Sequence, residues 1–118
     1  MRVLIGEADF LKKRLGLEDL STLEAWQLAT ADQPLPAATV YLDLSGCFAK
    51  YRPNNIPSDA WWIVHAPAHT LSELPPQTIR LNAWPGFAAG HDWEMAWEGE
   101  KAEQIATATC ATLHKKPI

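Results

Sequence analysis

The sequence predicts the α/β fold class: a reduced, doubly wound, mostly parallel sheet in three layers, with an antiparallel edge strand and some crossover helices missing. Several apolar runs of strand length, such as RVLI at 2–5 and WWIV at 61–64, lack polar alternation, which is typical of strands covered on both faces. Helical patterns lie near both ends of the chain. The middle connections, including residues 31–38, are too short to hold a helix each.

The first elements are predicted to be a strand, a helix and a second strand. RVLIG at 2–6 is an apolar run closed by glycine, and EADFLKKRL at 7–15 has acids first and bases later, with Gly16 just beyond. This order of charges suits a helix dipole. LEAWQLA at 23–29 predicts a short strand, and TADQPLPAA at 30–38 predicts a loop.

Three further strands are predicted in the middle of the chain. They are TVYLDL at 39–44, WWIVHA at 61–66 and TIRLNAW at 78–84, with one helical turn allowed in HTLSELPP at 69–76. The third strand must stop at Trp84-Pro85-Gly86-Phe87, because proline cannot donate to a sheet ladder and glycine admits positive φ.

The last elements are predicted to be an edge strand and a helix. WEMAWEG at 93–99 alternates apolar and polar residues, as a half-exposed or antiparallel strand does. The helix follows from apolar residues at helical spacing, with glutamates before them and His114, Lys115 and Lys116 after them. That stripe contains Ala102, Ile105, Ala106, Thr109, Cys110 and Leu113.

Length and composition indicate one globular domain over residues 1–118, with 47% hydrophobic and 20% charged residues. The net charge of −4 argues against nucleic acid or an anionic membrane as a partner. The N-terminal segment MRVLIGEADF contains too few consecutive apolar residues for a signal peptide or a membrane span. We therefore expect a cytoplasmic protein with reduced cysteines.

Residues 78–118, TIRLNAWPGF through HKKPI, resemble the closing section of the NAD-binding domain of 3-hydroxyacyl-CoA dehydrogenases. In that family a strand ends in an aromatic, proline-containing turn, followed by another strand, a helix and a short GKTPV-like end. RVLIG and TVYLDL occupy the places of two earlier family strands. The resemblance implies a Rossmann-like fold, reduced here by the missing helices.

The chain departs from that family at the cofactor and catalytic positions. The family's GxGxxG loop reads GEADFL from Gly6, with Ala8 and Leu11 in place of glycines and with Glu7 and Asp9 where an anion would sit. We therefore expect no bound NAD or other cofactor. Asn82 stands at the position of the family's general base, a histidine, and an amide does not titrate. Asp43 falls near the position of the glutamate that orients this histidine.

Two functions are considered, and the missing glycines, histidine and helical domain favour the first. The first is a non-catalytic Rossmann-like domain that acts as a binding or assembly module. The second is a protein that binds a small molecule, either a nucleotide or an acyl-CoA, or an oxidoreductase with residual 3-hydroxyacyl-CoA dehydrogenase activity. The family continues beyond this point into a helical domain, which we expect to be absent here unless a separate protein chain supplies it.

The candidate ligand-binding residues lie at the mouths of the predicted strands, where open α/β sheets bind ligands. They are Gly6, Asp43, Ser45, Asn82 and Trp84. Two of them have a structural alternative: Asp43 as a turn acid that binds the backbone around Ser45 and Gly46, and Asn82 as a cap of the bend before WPGF.

The other reactive or aromatic side chains have structural interpretations. Pro67 separates His65 from His69, so we predict no metal site, although His91 and Asp92 would add donors. The Cys47 thiol is interpreted as a buried structural thiol, because no base is identifiable beside it in the sequence. Trp61 and Trp62 point to opposite faces of a strand, so both are core if the sheet is covered on both sides, and one is exposed if a face has lost its helix. Because a sheet without some of its crossover helices leaves an apolar face or edge to cover, we expect a homodimer.

Overall fold

A computed structural model describes residues 1–82 and 94–113 and contains every predicted helix and strand. The strands are β1 (Arg2–Ile5), β2 (Trp26–Ala29), β3 (Val40–Asp43), β4 (Trp61–His65), β5 (Thr78–Leu81) and β6 (Met95–Ala96). The helices are α1 (Ala8–Leu15) and α2 (Glu100–Leu113). Two 3₁₀ helices lie at Leu20–Thr22, which was not predicted, and at Leu71–Glu73, the predicted helical turn.

The six strands form one sheet in the order β2-β1-β3-β4-β5-β6. Strands β1 to β5 run parallel, and β6 pairs antiparallel with β5 through Leu81 and Met95. The α/β class, the mostly parallel sheet and the antiparallel edge are therefore confirmed. Because β2 and β3 lie on opposite sides of β1, the chain reverses direction across the sheet at β1, which makes β1 and β3 a topological switch point.

Both α-helices pack on one face of the sheet. Leu4, Leu42 and Ile63 supply the strand side of this core, and Leu11 of α1 and Ala106 of α2 supply the helix side. α1 ends where predicted, since Gly16 takes a left-handed φ of 69° and its N–H donates to the Lys12 carbonyl. On α2 the predicted stripe is confirmed: Ala102, Ala106, Thr109, Cys110 and Leu113 are buried and Ile105 is partly buried.

Loops cover the opposite face, and in the described part of the chain no α-helix packs there. Its core contains Val3, Tyr41 and Trp62 from the strands and Leu35 and Leu74 from the loops. The Tyr41 and Trp62 rings stack with their centroids 4.4 Å apart. Trp62 is only 2% exposed, while Trp61 packs against the helix-side core. Each tryptophan of the pair therefore belongs to a covered face.

α2 connects two strands that lie far apart in the sheet, β5 and β2. It packs near β5, and its Thr112 hydroxyl accepts a hydrogen bond of 2.9 Å from the Trp26 indole N–H on β2. The predicted edge strand is shorter than the alternation over 93–99 suggested, since β6 contains two residues. His114, Lys115 and Lys116 lie outside the described residues. Across the described ranges, no helix has the length and apolar character that a membrane crossing requires.

Candidate functional site

A cavity of about 420 Å³ opens at the carboxyl ends of β1 and β3, the switch point of the sheet. Open α/β sheets bind ligands in this crevice, and the volume lies in the range of small-molecule sites. The walls come from the turn after β1, from α1, from the loop after β2 and from the loop after β3. The lining residues are Gly6, Glu7, Phe10, Ala31, Asp32, Ser45 and Cys47.

Gly6 shapes the floor of the cavity. Its φ is 152°, its N–H donates to the Ala29 carbonyl at 2.9 Å, and an added Cβ would come within 2.8 Å of the Leu11 side chain. The turn therefore requires glycine. Glu7 is the N-cap residue of α1, but its side chain makes no capping hydrogen bond and is exposed at the cavity. Together with Asp32 it brings two carboxylates to the cavity walls.

Asp43 lies completely buried below the loop after β3, which forms one wall of the cavity. One carboxylate oxygen accepts from the Ser45 hydroxyl at 2.6 Å and from the N–H groups of Ser45 and Gly46 at 3.1 Å each. The other accepts from the Phe48 N–H at 2.8 Å. The turn interpretation of Asp43 is therefore confirmed. The carboxylate organises residues 45–48 and does not line the cavity.

Ser45 and Cys47 present polar groups at the cavity surface. The Ser45 Oγ lies 3.1 Å from the Cys47 Sγ. Because the single hydroxyl proton is directed to Asp43, the thiol is left as the donor to the serine oxygen. Cys47 is exposed and not in a disulfide, so the interpretation of Cys47 as a buried thiol is wrong. The buried carboxylate thus fixes the serine, and the serine in turn fixes the thiol.

The two histidines of HAPAH have different surroundings. His65 ends β4 and is half-buried, and burial, followed by the charge of Arg14, lowers the pKa of its imidazole, while Asp43 opposes the shift. The ring is therefore neutral at pH 7. His69 pairs with Glu73 at 3.4 Å. In residues 1–82 and 94–113, no group of three or more His, Cys, Asp or Glu side chains could hold a metal ion, and His91 and Asp92 fall outside those ranges.

Asn82 does not line this cavity. It follows β5, and β4 separates β5 from β3, so the two strand ends are about 10 Å apart at the usual strand spacing. Its amide accepts from Arg80 at 3.1 Å and donates to Glu94 at 3.2 Å. Of the residues predicted at the strand mouths, Gly6 and Ser45 line the cavity. Asp43 supports the cavity wall from below, and Asn82 connects the end of β5 to the residue before β6. Trp84 lies outside the described residues.

Sequence reasoning missed Phe10 and Asp32 as site residues. Phe10 reaches the cavity only because α1 packs where it does. Asp32 had a usable signal, since dinucleotide-binding folds place an acid shortly after the second strand. A cavity of about 320 Å³ near Trp61 and Thr78 lies at the amino ends of β4 and β5, the end of a parallel sheet that rarely binds ligands.

Comparison with known proteins does not identify a function for this chain, so the function is proposed from the geometry of the site. The chain matches no protein-family model, and neither the curated proteins nor the solved structures gave a significant match. The resemblance to 3-hydroxyacyl-CoA dehydrogenases therefore stays a prediction from the sequence.

Proposed function

We propose that this chain is a non-catalytic Rossmann-like domain that binds a small neutral or cationic molecule in the cavity between β1 and β3. The observation that carries the proposal is the position of a cavity of about 420 Å³ at the switch point of the sheet. The relationship to 3-hydroxyacyl-CoA dehydrogenases and the cytoplasmic location belong to the same proposal.

The strand order supports a reduced Rossmann-like architecture. The usual order of that fold is 3-2-1-4-5-6, and removing its third strand and renumbering gives 2-1-3-4-5, the order of β1 to β5 here. The loop at residues 30–39 would then replace the missing strand and its helix. We include in the proposal a three-layer arrangement of helices, sheet and loops, in which loops stand in for the second helical layer.

The charge of the cavity restricts its ligand. Glu7 and Asp32 are both exposed at the walls. A phosphate placed about 4 Å from one carboxylate is disfavoured by about 1 kcal/mol in water and about 4 kcal/mol at a dielectric typical of protein surfaces. Carboxylates instead accept hydrogen bonds from hydroxyl and amino groups, and the Phe10 ring supplies an apolar wall. A nucleoside, with a flat ring and a diol, combines these features.

The bonding of Asp43 and Asn82, at the two catalytic positions of the resembled family, supports binding without that family's catalysis. The Asp43 carboxylate is occupied by backbone N–H groups and Ser45, and the Asn82 amide is held between Arg80 and Glu94. Neither group is presented to a molecule in the cavity. A general base must lie within hydrogen-bonding reach of the proton that it removes.

The experiment is a titration monitored by calorimetry and by backbone amide NMR, with adenosine, AMP, NAD and acetoacetyl-CoA as probes. We expect adenosine to bind and to shift amides at residues 6–10, 31–32 and 45–47, with AMP and NAD binding more weakly. The double variant Glu7→Gln/Asp32→Asn should bind adenosine and AMP with more similar affinities than the wild type does. The exposed Asp59→Asn variant is the matched control and should bind as the wild type does.

Two outcomes would contradict the proposal. If none of the probes shifts these amides at millimolar concentration, the cavity does not bind this class of ligand. If NAD or acetoacetyl-CoA binds more tightly than adenosine, the carboxylates do not exclude anions, and the oxidoreductase alternative is favoured.

A further inference from the structure

The sheet has one edge that is unusually open to pairing. Among the described residues β2 pairs with β1 on one side and with no strand on the other. Its sequence, WQLA, has no charged residue and no proline, which are the usual protections of an edge strand. Gln27 and Leu28 are exposed, and Leu28 retains 42% of its accessible surface. β6, at the other edge, has only two residues.

The backbone of Leu28 carries the hydrogen-bonding groups of this edge. The Ala29 carbonyl accepts from the Gly6 N–H, so the main-chain groups of Ala29 face β1. Successive residues of a strand direct their N–H and C=O groups to opposite sides. The N–H and C=O of Leu28 therefore point away from β1, toward the open edge.

We propose that β2 pairs antiparallel with β2 of a second copy of this chain, around a twofold axis that places Leu28 opposite Leu28 of the partner subunit. An antiparallel arrangement is the one that a twofold axis produces for two identical edges. Residues that are directly opposite can exchange both N–H···O bonds and have their side chains on the same face. The two leucines would thus form the hydrogen-bonded pair and also cover each other's apolar surface.

Self-pairing fits the charge distribution of the chain. With a net charge of −4, two copies repel each other, and the repulsion is weakest when they meet at an uncharged segment. β2 is such a segment. The nearest exposed acids lie beyond its two ends, where pairing Leu28 with Leu28 brings Glu24 toward Asp32 of the partner subunit. Residues 26–29 therefore allow two acidic chains to approach without placing carboxylates at the centre of the contact.

The contact can extend beyond four residues on each strand. A cavity of about 460 Å³ lies beside β2. Its walls come from residues 27–30, from the loop at Gln33, Pro34 and Pro36, and from the turn at Gly6, Glu7 and Ala8. In the antiparallel arrangement, the segment that precedes β2 in the partner subunit runs toward this loop. The cavity offers space for it, which matters because stable interfaces usually bury about 800 Å² per partner.

The test is sedimentation of the full chain from micromolar to millimolar concentration, with two variants of Leu28. Leu28→Pro removes the outward N–H, a change that edge strands tolerate, and Leu28→Glu places two carboxylates opposite each other. We expect the wild type to sediment with twice the mass of the chain and both variants to associate at least about tenfold more weakly with unchanged circular dichroism. The matched control is Tyr51→Glu, at the 78% exposed Tyr51, which should dimerise normally.

A wild-type chain that is monomeric at millimolar concentration would overturn the proposal, as would a dimer that both Leu28 variants leave intact. Dissociation by Tyr51→Glu would move the interface to the loop-covered face. If a Leu28 variant fails to fold, hydrogen exchange of the wild type decides the matter. The Leu28 amide must exchange more slowly as the protein concentration rises, and a rate independent of concentration would also overturn the proposal.

Discussion

At the scale of single residues, the turn after β3 depends on the absence of a side chain at position 46. Gly46 has a φ of 78°, and an added Cβ would lie 2.7 Å from the His65 backbone carbonyl oxygen. Backbone atoms cannot move aside as a flexible side chain can. The Asp43 network and the cavity wall at Ser45 and Cys47 both require this close approach to β4.

Gly46→Ala should lower the free energy of unfolding by about 3 kcal/mol, because a left-handed residue with a Cβ costs about 1–3 kcal/mol and the contact with His65 adds to it. Gly99→Ala is the control: Gly99 has a φ of 95°, but nothing lies within 4 Å of its added Cβ. Gly99→Ala should therefore lower the free energy of unfolding by about 1 kcal/mol, the cost of a left-handed backbone conformation alone. Urea denaturation measures both, and equal losses would show that the approach to His65 costs nothing.

Residue types alone predicted some of these roles and not others. Asp43 followed by Ser45 and Gly46 is a local turn signal, and the hydrogen bonds confirm it because they span only five residues. Asp32 and Phe10 became site residues through packing between distant segments, which local patterns do not report. Asn82 was grouped with Gly6 because each follows a strand, whereas the strand order separates them.

At the scale of elements, Arg52 fastens the loops that cover the second face of the sheet. Its guanidinium lies 4.7 Å from the centroid of the Trp62 ring and donates to the Phe48 carbonyl and, at 2.6 Å, to the Thr78 hydroxyl. Burial lowers the pKa of Arg52 to about 10, and Asp43 opposes this shift. One side chain thus connects the loop after β3 to β4 and to β5.

Arg52→Lys should lower the free energy of unfolding by about 2 kcal/mol, because an ammonium group cannot reproduce a planar fork that also stacks on an indole ring. The rate of backbone amide hydrogen exchange should increase most at residues 48–57. The exposed Lys50→Ala change serves as the control and should leave both measurements unchanged. If Arg52→Lys is as stable as the wild type, the loops are held by apolar contacts alone.

Elements were predictable where hydrophobic patterns are strong. Runs such as VYLD and the stripe on α2 predicted their type correctly because burial on two faces, or on one helical face, determines the pattern itself. The 3₁₀ helix at Leu20–Thr22 was missed, since three residues carry no periodicity. Its N-cap is Asp19, whose carboxylate accepts from the Ser21 N–H at 2.9 Å.

At the scale of the whole molecule, His65 gives folding a dependence on pH. The pKa of its ring is lowered in the folded state by burial and by Arg14, so between the ordinary value of 6.5 and the lowered value the unfolded chain binds more protons. The contribution of neutral His65 to stability is present above pH 6.5 and is lost as the pH falls through that window.

The free energy of unfolding should therefore fall between about pH 7.5 and pH 5.5, and His65→Gln should make this fall smaller, because glutamine does not titrate. Urea denaturation at the two pH values measures the difference. The control is His69→Gln, at the surface histidine that pairs with Glu73. Its free energy of unfolding should decrease between the two pH values as much as that of the wild type. A variant at His65 that loses as much stability as the wild type would assign the acid sensitivity to other groups.

The link between α2 and β2 determines when this chain can fold during synthesis. Trp26 is translated early, but its hydroxyl partner, Thr112, lies 86 residues later. On the ribosome the indole N–H lacks its partner, and the helix-side core around Leu4 and Leu42 is covered by α1 alone, until α2 has left the exit tunnel. The nascent protein therefore completes its native core only after α2 has been translated, and its first strands stay accessible to chaperones until then.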